Sequence, residues 1–344
     1  MAQSVRSKQG LIVAITGPTG EIGQAVVDAL DRSPGVARIV GMARREFDPA
    51  AHDWRKFTYM RGDVLNRRHV ANLIEDADVV VHLAFVIMGG EEESLRVNLK
   101  GSRNVFMATV EAGVKRLVYT SSVAAYGFHK SNPQPLTEDV PARGTATHYY
   151  SAQKAQVEEL LADTLHPTPT AAYVFRPCIV AGPKAPLLIE SLPYTKLSER
   201  LPSPLRSLLG NVPIVKPVLP DPGIPFQLIH HDDVATAVRS AVLGRGKPGV
   251  YNLAGPGEMT VGTLAEELGW YSVAMPELAV DAVAELVGHL GFLPSQAQWI
   301  AAFREPVIMS TAKAKRELRW RPTHDALQTL RETIAAMHAS DNSA

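Results

Sequence analysis

The segment Thr16-Gly17-Pro18-Thr19-Gly20-Glu21-Ile22-Gly23 constrains this chain most. It follows an apolar run, 11–16, with β-branched Val13 and Ile15. It opens an amphipathic stretch, 21–31, where Ile22, Val26, Val27 and Leu30 recur at helical spacing. A glycine triplet at a strand–helix junction suits a phosphate-binding turn. Gly17 permits the tight turn, Gly20 admits a pyrophosphate to the backbone, and Gly23 lets the helix pack on the strand. The N–H groups and positive dipole end of the helix complete such a cradle.

The alternation that begins there continues. Apolar runs at 38–43, 57–60, 78–83, 116–120 and 172–175 are spaced by amphipathic stretches, among them a long one through Leu95, Leu99, Val105, Phe106 and Val110 and another at 149–165. Near-continuous apolar strands alternating with helices predict an α/β fold, a doubly wound parallel sheet covered on both faces. After Gly182 the pattern changes. Residues 183–225 are rich in proline and poor in strand signals, 227–229 and 250–253 read as short strands around a helix at 233–243, and the chain from Thr260 is mostly helical. The expected division is a nucleotide-binding domain at 10–182 plus 226–255, with a smaller, mostly helical substrate lobe at 183–225 plus 256–338.

Composition narrows the function. Lys+Arg and Asp+Glu are both 35, so the net charge is zero, and a general electrostatic grip on nucleic acid or anionic membrane is not expected. The most apolar stretch, 201–229, is cut by seven prolines and carries Arg206, Lys216 and Asp221, so it is no membrane span. Residues 1–9 are polar and do not read as a secretory signal. The single cysteine, Cys178, excludes an internal disulfide framework and fits a reducing, cytoplasmic setting.

Two further constellations carry chemistry. An acidic residue about 20 positions beyond the glycines would meet a free ribose 2′-hydroxyl. Here that place falls on Ala43, followed by Arg44 and Arg45, whose guanidinium groups suit a 2′-phosphate. NADP is therefore slightly favoured over NAD, with Glu46 and Asp48 close enough to weaken the preference. Tyr150 and Lys154 stand at i and i+4 of one helix, where an ammonium would lower the phenol pKa and ready it for proton exchange with a carbonyl or alcohol. Tyr149 has Gln153 in that position instead, and Tyr119-Thr120-Ser121-Ser122 ends the strand before this helix.

Together these motifs resemble the extended short-chain dehydrogenase/reductases, also called the NAD-dependent epimerase/dehydratase family. The likeness runs in order over about the first 255 residues. Beyond the glycine loop it rests on Arg61-Gly62-Asp63-Val64, Val81-His82-Leu83-Ala84, the helix motif from Asn98 to Asn104, Ser121-Ser122-Val123-Ala124-Ala125-Tyr126-Gly127, Arg176-Pro177 to Gly182-Pro183, the segment from His230 to Ala235, and Tyr251-Asn252-Leu253. The resemblance implies a Rossmann domain and a bound NADP or NAD. It places the cofactor against Gly17, Thr19, Gly20, Glu21, Ile22, Gly23, Arg44, Arg45, Asp63, Val64, Leu83, Ala84, Asn98, Tyr150, Lys154 and Pro177. It assigns catalysis to Ser122, Tyr150 and Lys154: Tyr150 as acid/base, Lys154 lowering its pKa and holding the nicotinamide ribose, Ser122 orienting the substrate oxygen. It also implies a homodimer through helices at 91–112 and 148–165. Val123 and Ala124 stand where 4,6-dehydratases carry an acidic pair, which disfavours elimination of water. Hydride transfer at a secondary alcohol or ketone remains, with a sugar nucleotide or related small molecule as substrate. A reductase of a non-sugar ketone or aldehyde and a non-catalytic dinucleotide sensor are the alternatives.

Other features carry less. Adjacent His230 and His231 on a strand end are expected to point to opposite faces, poor geometry for one metal ion, so no metal is assigned. Cys178 reads as a small buried hydrophobe, His148 as a surface residue, and Arg319-Trp320-Arg321 as a terminal packing anchor. Leu187, Leu188, Leu192, Leu208 and Leu209 suit either a pocket wall or core.

Overall fold

The apolar runs of the sequence pair into one parallel sheet. The computed structural model describes residues 10–87, 90–192, 216–276 and 305–341. Its strands are β1 (Leu11–Thr16), β2 (Val36–Ala43), β3 (Phe57–Arg61), β4 (Val79–His82), β5 (Arg116–Thr120), β6 (Ala171–Pro177), β7 (Ile179–Ala181), β8 (Val218–Asp221), β9 (Leu228–His230), β10 (Gly249–Leu253) and β11 (Tyr271–Ala274). The main sheet has seven strands in the order β3-β2-β1-β4-β5-β6-β10, all parallel. The chain winds outward from β1 to β3, then crosses back to β4 and winds the other way. The strand order therefore reverses between β1 and β4, and the crevice outside their C-terminal ends is where a doubly wound sheet takes its ligand.

Helices cover both faces. They are α1 (Glu21–Asp31), α2 (Arg67–Ile74), α3 (Glu91–Leu95), α4 (Ser102–Glu111), α5 (Tyr149–Leu165), α6 (Leu187–Glu190), α7 (His231–Val242), α8 (Val261–Glu267), α9 (Ala312–Glu317) and α10 (Ala326–Asp341). One core packs Val26, Val27 and Leu30 of α1 and Val234, Val238 and Ala241 of α7 onto the sheet. The other packs Val70 and Leu73 of α2, Val105 and Phe106 of α4, and Val157 and Leu161 of α5 onto the opposite face. Each fully buried side chain of this size stabilises the fold by about 1.5–3 kcal/mol. Helix α2 is absent from the periodicity reading, although Asn66 caps it by accepting from the N–H of Arg68 (3.0 Å) and His69 (3.3 Å). A π-turn at Arg96–Gly101 joins α3 to α4 without a break.

A third, separate core draws on the later chain: Ile189, Phe226, Leu228, Met259, Leu264, Ala326, Leu330 and Ile334. Leu188 and Leu192 pack against it, which answers the core-or-wall question for those two leucines, while Leu208 and Leu209 lie outside the described residues. Strand pairing here exceeds what the sequence suggested. Within the proline-rich segment β8 pairs in parallel with β11, and β9 pairs with β7 rather than with the main sheet. Pro220 is tolerated because this small sheet has only two strands, so each is an edge. Trp320 is buried, and its indole N–H donates to the Asp233 carbonyl at 2.9 Å, the packing anchor expected. Cys178 is buried and its thiol pKa is pushed up by that burial. Among the described residues no helix is long and apolar enough to cross a membrane.

Candidate active site

The glycine loop closes on itself. Gly17 has φ +74° and its N–H donates to the Met42 carbonyl at 3.0 Å. A Cβ there would lie 2.9 Å from the Ala84 nitrogen, so both conformation and space require glycine. At Gly23 an added Cβ would lie 2.2 Å from the Gly17 carbonyl oxygen and 2.7 Å from Pro18 C. The sequence reading placed the helix–strand contact here. The structure instead shows α1 packed against the turn. At Gly20 the nearest of those atoms is 3.6 Å away. Gly20 is also the N-cap of α1 and supplies no side-chain cap, so the helix offers its first-turn N–H groups to the crevice. Half-buried Thr19 stands at the rim, and Ile22 packs against the core. Glu21 turns its carboxylate away from the loop, accepting from the Leu187 N–H at 3.1 Å. Burial pushes its pKa up to about 7, against the opposing effect of that hydrogen bond. Of this residue only the backbone is placed to meet a phosphate.

A hydrogen-bonded post stands behind the loop. Thr16 Oγ1 bonds His82 Nδ1 at 2.7 Å, and His82 Nε2 bonds Ser102 Oγ at 2.9 Å. Burial, with help from Lys154, holds His82 down to about 3, so the ring is neutral. Thr16 also accepts the N–H groups of Leu83 (3.1 Å, backbone) and Ala84 (3.4 Å, side chain), which seats both residues beside the turn. Asn98 differs from expectation. It is fully buried, and its amide is taken up by both backbone groups of Val86 (2.8 and 3.0 Å) and by Gln153 Oε1 (2.7 Å). It braces the crevice wall from below rather than lining it.

On the other side of the crevice, Asp63 is half-buried and accepts the Leu65 N–H at 2.9 Å. The Val64 carbonyl is held by Asn104 at 2.9 Å, and Gly101 is needed because a Cβ would meet Val64 Cγ2 at 2.6 Å. Arg44 and Arg45 both face solvent beyond β2. Arg44 approaches Glu93 of α3 at 3.8 Å, while Glu46 is occupied by Arg61 at 2.8 Å. Of the two acidic neighbours that weakened the arginine argument, Glu46 is thus paired elsewhere, and Asp48 caps its own turn, accepting from the Ala50 N–H at 2.9 Å.

The three catalytic candidates come together. Ser122 lies two residues beyond β5 and caps the following 3-10 turn, accepting from the Ala124 N–H at 3.2 Å. The Tyr150 hydroxyl hydrogen-bonds its side chain. Ser121 points elsewhere, donating to Glu158 Oε1 at 2.5 Å, so the structure distinguishes the two serines. Lys154 Nζ donates to the Thr120 carbonyl at 3.0 Å and lies 3.7 Å from the centroid of the Phe85 ring. One expectation is reversed. Burial pushes Tyr150 up to about 12, only partly offset by the Ser122 hydrogen bond. Burial likewise brings Lys154 down to about 7, against the pull of Glu158. The ammonium sits beneath the tyrosine ring, 5.8 Å from its centroid, and does not outweigh desolvation of the phenol. Pro177 closes β6 beside this group and is buried, in register with Leu253. His148 is buried as the N-cap of α5, not a surface residue, and accepts from the Ser151 N–H at 3.3 Å. Glu158 was missed by the sequence reading, although it continues the i, i+4 spacing of Tyr150 and Lys154; Arg176 and Thr120 stood within quoted motifs but were given no role beside Lys154.

His230 and His231 do not point to opposite faces. Their ring centroids are 4.2 Å apart, because His230 ends β9 and His231 begins α7, where strand alternation stops. His230 Nδ1 accepts the Asp232 N–H at 3.2 Å, which leaves the proton of the neutral ring on Nε2. His231 accepts from the Lys184 N–H at 3.1 Å and bonds Asp232 Oδ1 at 3.0 Å. These rings are used as caps and clamps between α7 and its neighbours.

Comparison with known proteins bears on the family and the fold. Residues 13–254 match the model of the NAD dependent epimerase/dehydratase family. Human 3 beta-hydroxysteroid dehydrogenase type 7 is 31% identical over 181 residues, covering 47% of this chain and 46% of that protein. The 2-alkyl-3-oxoalkanoate reductase of Shewanella oneidensis is 28% identical over 183 residues, 51% of this chain and 46% of that protein. The chain thus spans less than half the length of each. Among solved structures, the Bordetella bronchiseptica enzyme WbmH in complex with NAD+ superposes with a TM-score of 0.70 at 19% identity, over 96% of this chain and 99% of that one. The UDP-N-acetylglucosamine 4-epimerase of Methanobrevibacter ruminantium gives 0.70 at 18%, over 97% and 100%. At such identities these two share the fold.

Proposed function

Because the chain belongs to the NAD dependent epimerase/dehydratase family, we propose that it transfers hydride between a nicotinamide cofactor and a secondary alcohol or ketone of a small molecule. The observation that carries this reading is the meeting of Ser122, Tyr150 and Lys154 at the end of β5, across the sheet from an uncapped glycine turn. The residues fit the cofactor: Gly20 leaves backbone room for a pyrophosphate, and Leu83, Ala84, Asp63 and Val64 stand along the same edge. Bound there, the nicotinamide supplies or accepts the hydride. The chain does the rest. Tyr150, a neutral phenol over the whole physiological range, is set to protonate a carbonyl oxygen, and Ser122 holds that oxygen. Lys154, poised at about 7, can give up or retain a proton as Tyr150 changes charge. Val123 and Ala124 cannot move a proton, so dehydration is not part of the reading.

Net oxidoreduction with exchangeable NADP(H) is the favoured form. Solvent-facing Arg44 and Arg45 support it, as do the alcohol and ketone chemistries named for the two sequence relatives. A 4-epimerase acting on a sugar nucleotide with retained NAD is the second reading, favoured by 32% identity over 126 residues to the N-acetyl-alpha-D-glucosaminyl-diphospho-ditrans,octacis-undecaprenol 4-epimerase of Escherichia coli O157:H7. The substrate would lie between the crevice and the third core, with cytoplasmic placement and a dimer through 91–112 and 148–165 as part of the same proposal. The test is the cofactor itself. NADPH and NADH affinities are measured by calorimetry on protein stripped of nucleotide, then turnover is assayed on ketones, sterol-like alcohols and sugar nucleotides. Preference for NADPH with ketone turnover supports the first form. Tightly retained NAD with interconversion of 4-epimers supports the second, and binding without any turnover sinks both.

A further inference from the structure

Tyr150, Lys154 and Glu158 form one stripe along α5, four residues apart. The last residue of β5 and the two beyond it answer them one for one. Ser122 meets Tyr150, the Thr120 carbonyl takes Lys154 Nζ at 3.0 Å, and Ser121 Oγ donates to Glu158 at 2.5 Å. Glu158 is in turn held by a bidentate pair from Arg176, Nε at 3.0 Å and Nη2 at 2.6 Å. Arg176 lies over the Tyr126 ring at 4.3 Å and donates to the Val140 carbonyl at 3.2 Å, so the carboxylate cannot drift. The two side chains are only 4% and 9% exposed. Burying such a pair is often no more stabilising than packing two apolar side chains, which leaves its retention at this spot to be accounted for by what it does to its neighbours.

We propose that Glu158 is a positioning residue for the hydride-transfer site: anchored by Arg176, it draws Ser121 away so that Ser122 alone meets Tyr150, and it supplies the negative charge that favours the ammonium form of Lys154. The inference rests on the reading of the Ser122–Tyr150–Lys154 group as catalytic. Among the described residues, the charged and titratable groups around Lys154 are few. Tyr150 and Glu158 share its helix, and Tyr119 of β5 places its ring 5.2 Å away. His82 of β4 is neutral, and Phe85 from the loop after β4 covers Nζ with an uncharged ring. Glu158 is the anion of this set. Burial already lowers Lys154 to about 7 with Glu158 opposing it, so removing the carboxylate charge shifts the lysine further toward its neutral form.

The test needs no substrate. Full-length protein with 15N-labelled lysine is titrated by NMR, the Lys154 Nζ resonance being assigned by its loss in Lys154→Met. Wild type should show one lysine titrating near 7. In Glu158→Gln that titration should move down by about half a unit or more, and in Ser121→Ala it should stay. Since Glu158→Gln leaves Arg176 without its partner, Glu158→Gln/Arg176→Met is titrated as well and should shift in the same direction. Titration of Lys154 at its wild-type position in both Glu158 variants overturns the proposal. Once a substrate is in hand, Glu158→Gln should lose about threefold in kcat near pH 8 and recover most of it near pH 6, with KM steady. An equal loss at both pH values marks a merely structural residue and also overturns it. Absence of turnover in wild type would count against the hydride-transfer reading and leave the NMR result to judge Glu158.

Discussion

Gly23 faces the Gly17 carbonyl so closely that a single added methyl carbon would sit 2.2 Å from that oxygen. The turn that cradles a phosphate and the helix that points at it are therefore one packed unit. At Gly20 the same addition meets nothing nearer than 3.6 Å. Gly23→Ala should lower the melting temperature and abolish nucleotide binding together. Gly20→Ala should melt within a degree or two of wild type and still lose dinucleotide affinity by about tenfold or more, because the methyl group occupies ligand space. Calorimetric binding beside thermal scans separates the two, and unchanged affinity in Gly20→Ala would remove the cradle from this loop.

Ser121 and Ser122 are adjacent but not equivalent. Ser122→Ala and Tyr150→Phe should each lower kcat by about 10²-fold or more while leaving cofactor affinity near wild type. Ser121→Ala should keep kcat within roughly an order of magnitude, since its hydroxyl serves Glu158 rather than the crevice. A Tyr150→Phe variant losing less than tenfold would count heavily against its assigned role.

His82 should make the protein acid-sensitive. Its folded pKa is about 3, below the ordinary value of 6.5, so its contribution to stability is complete above 6.5 and lost as pH falls toward 3. Between pH 6.5 and pH 5 that amounts to about 2 kcal/mol. Denaturant midpoints at these two pH values should converge in His82→Gln relative to wild type. Equal pH dependence in the two proteins would show that the ring is not buried as a neutral group.

Arg44 and Glu93 set up a cofactor test. Their contact is long and exposed, 3.8 Å with both side chains about half in solvent, so it is worth little to stability. Arg44→Ala should weaken NADPH binding by about tenfold and leave NADH nearly unchanged. Glu93→Gln, by freeing the guanidinium, should strengthen NADPH binding modestly. If both variants treat the two cofactors alike, the 2′-phosphate is read elsewhere or not at all.

Much of the fold was legible because its signals are local. The limits of β1, α1, β5 and α5 follow from apolar spacing alone, and the doubly wound sheet follows from their alternation. Legibility failed where neighbours in space decide. Pairing of β8 with β11, and of β9 with β7, joins short segments that are distant in sequence or rich in proline. Helix α2 was missed because it is short and its apolar positions are few, though the Asn66 cap marks its start.

The same division runs through the site. The sequence by itself determined that a glycine turn opens the first helix, that Tyr150 and Lys154 share one helix face, and that two serines end a central strand. Each depends only on residues a turn or less apart. Tertiary structure decided which serine meets the tyrosine, that Asn98 braces rather than lines the crevice, and that Glu158 closes the stripe on Arg176. It also reversed the expected sign of the Tyr150 shift. Spacing along a helix brings an ammonium near a phenol, but the cost of removing that phenol from water depends on everything packed over it, and in this fold that cost is the larger.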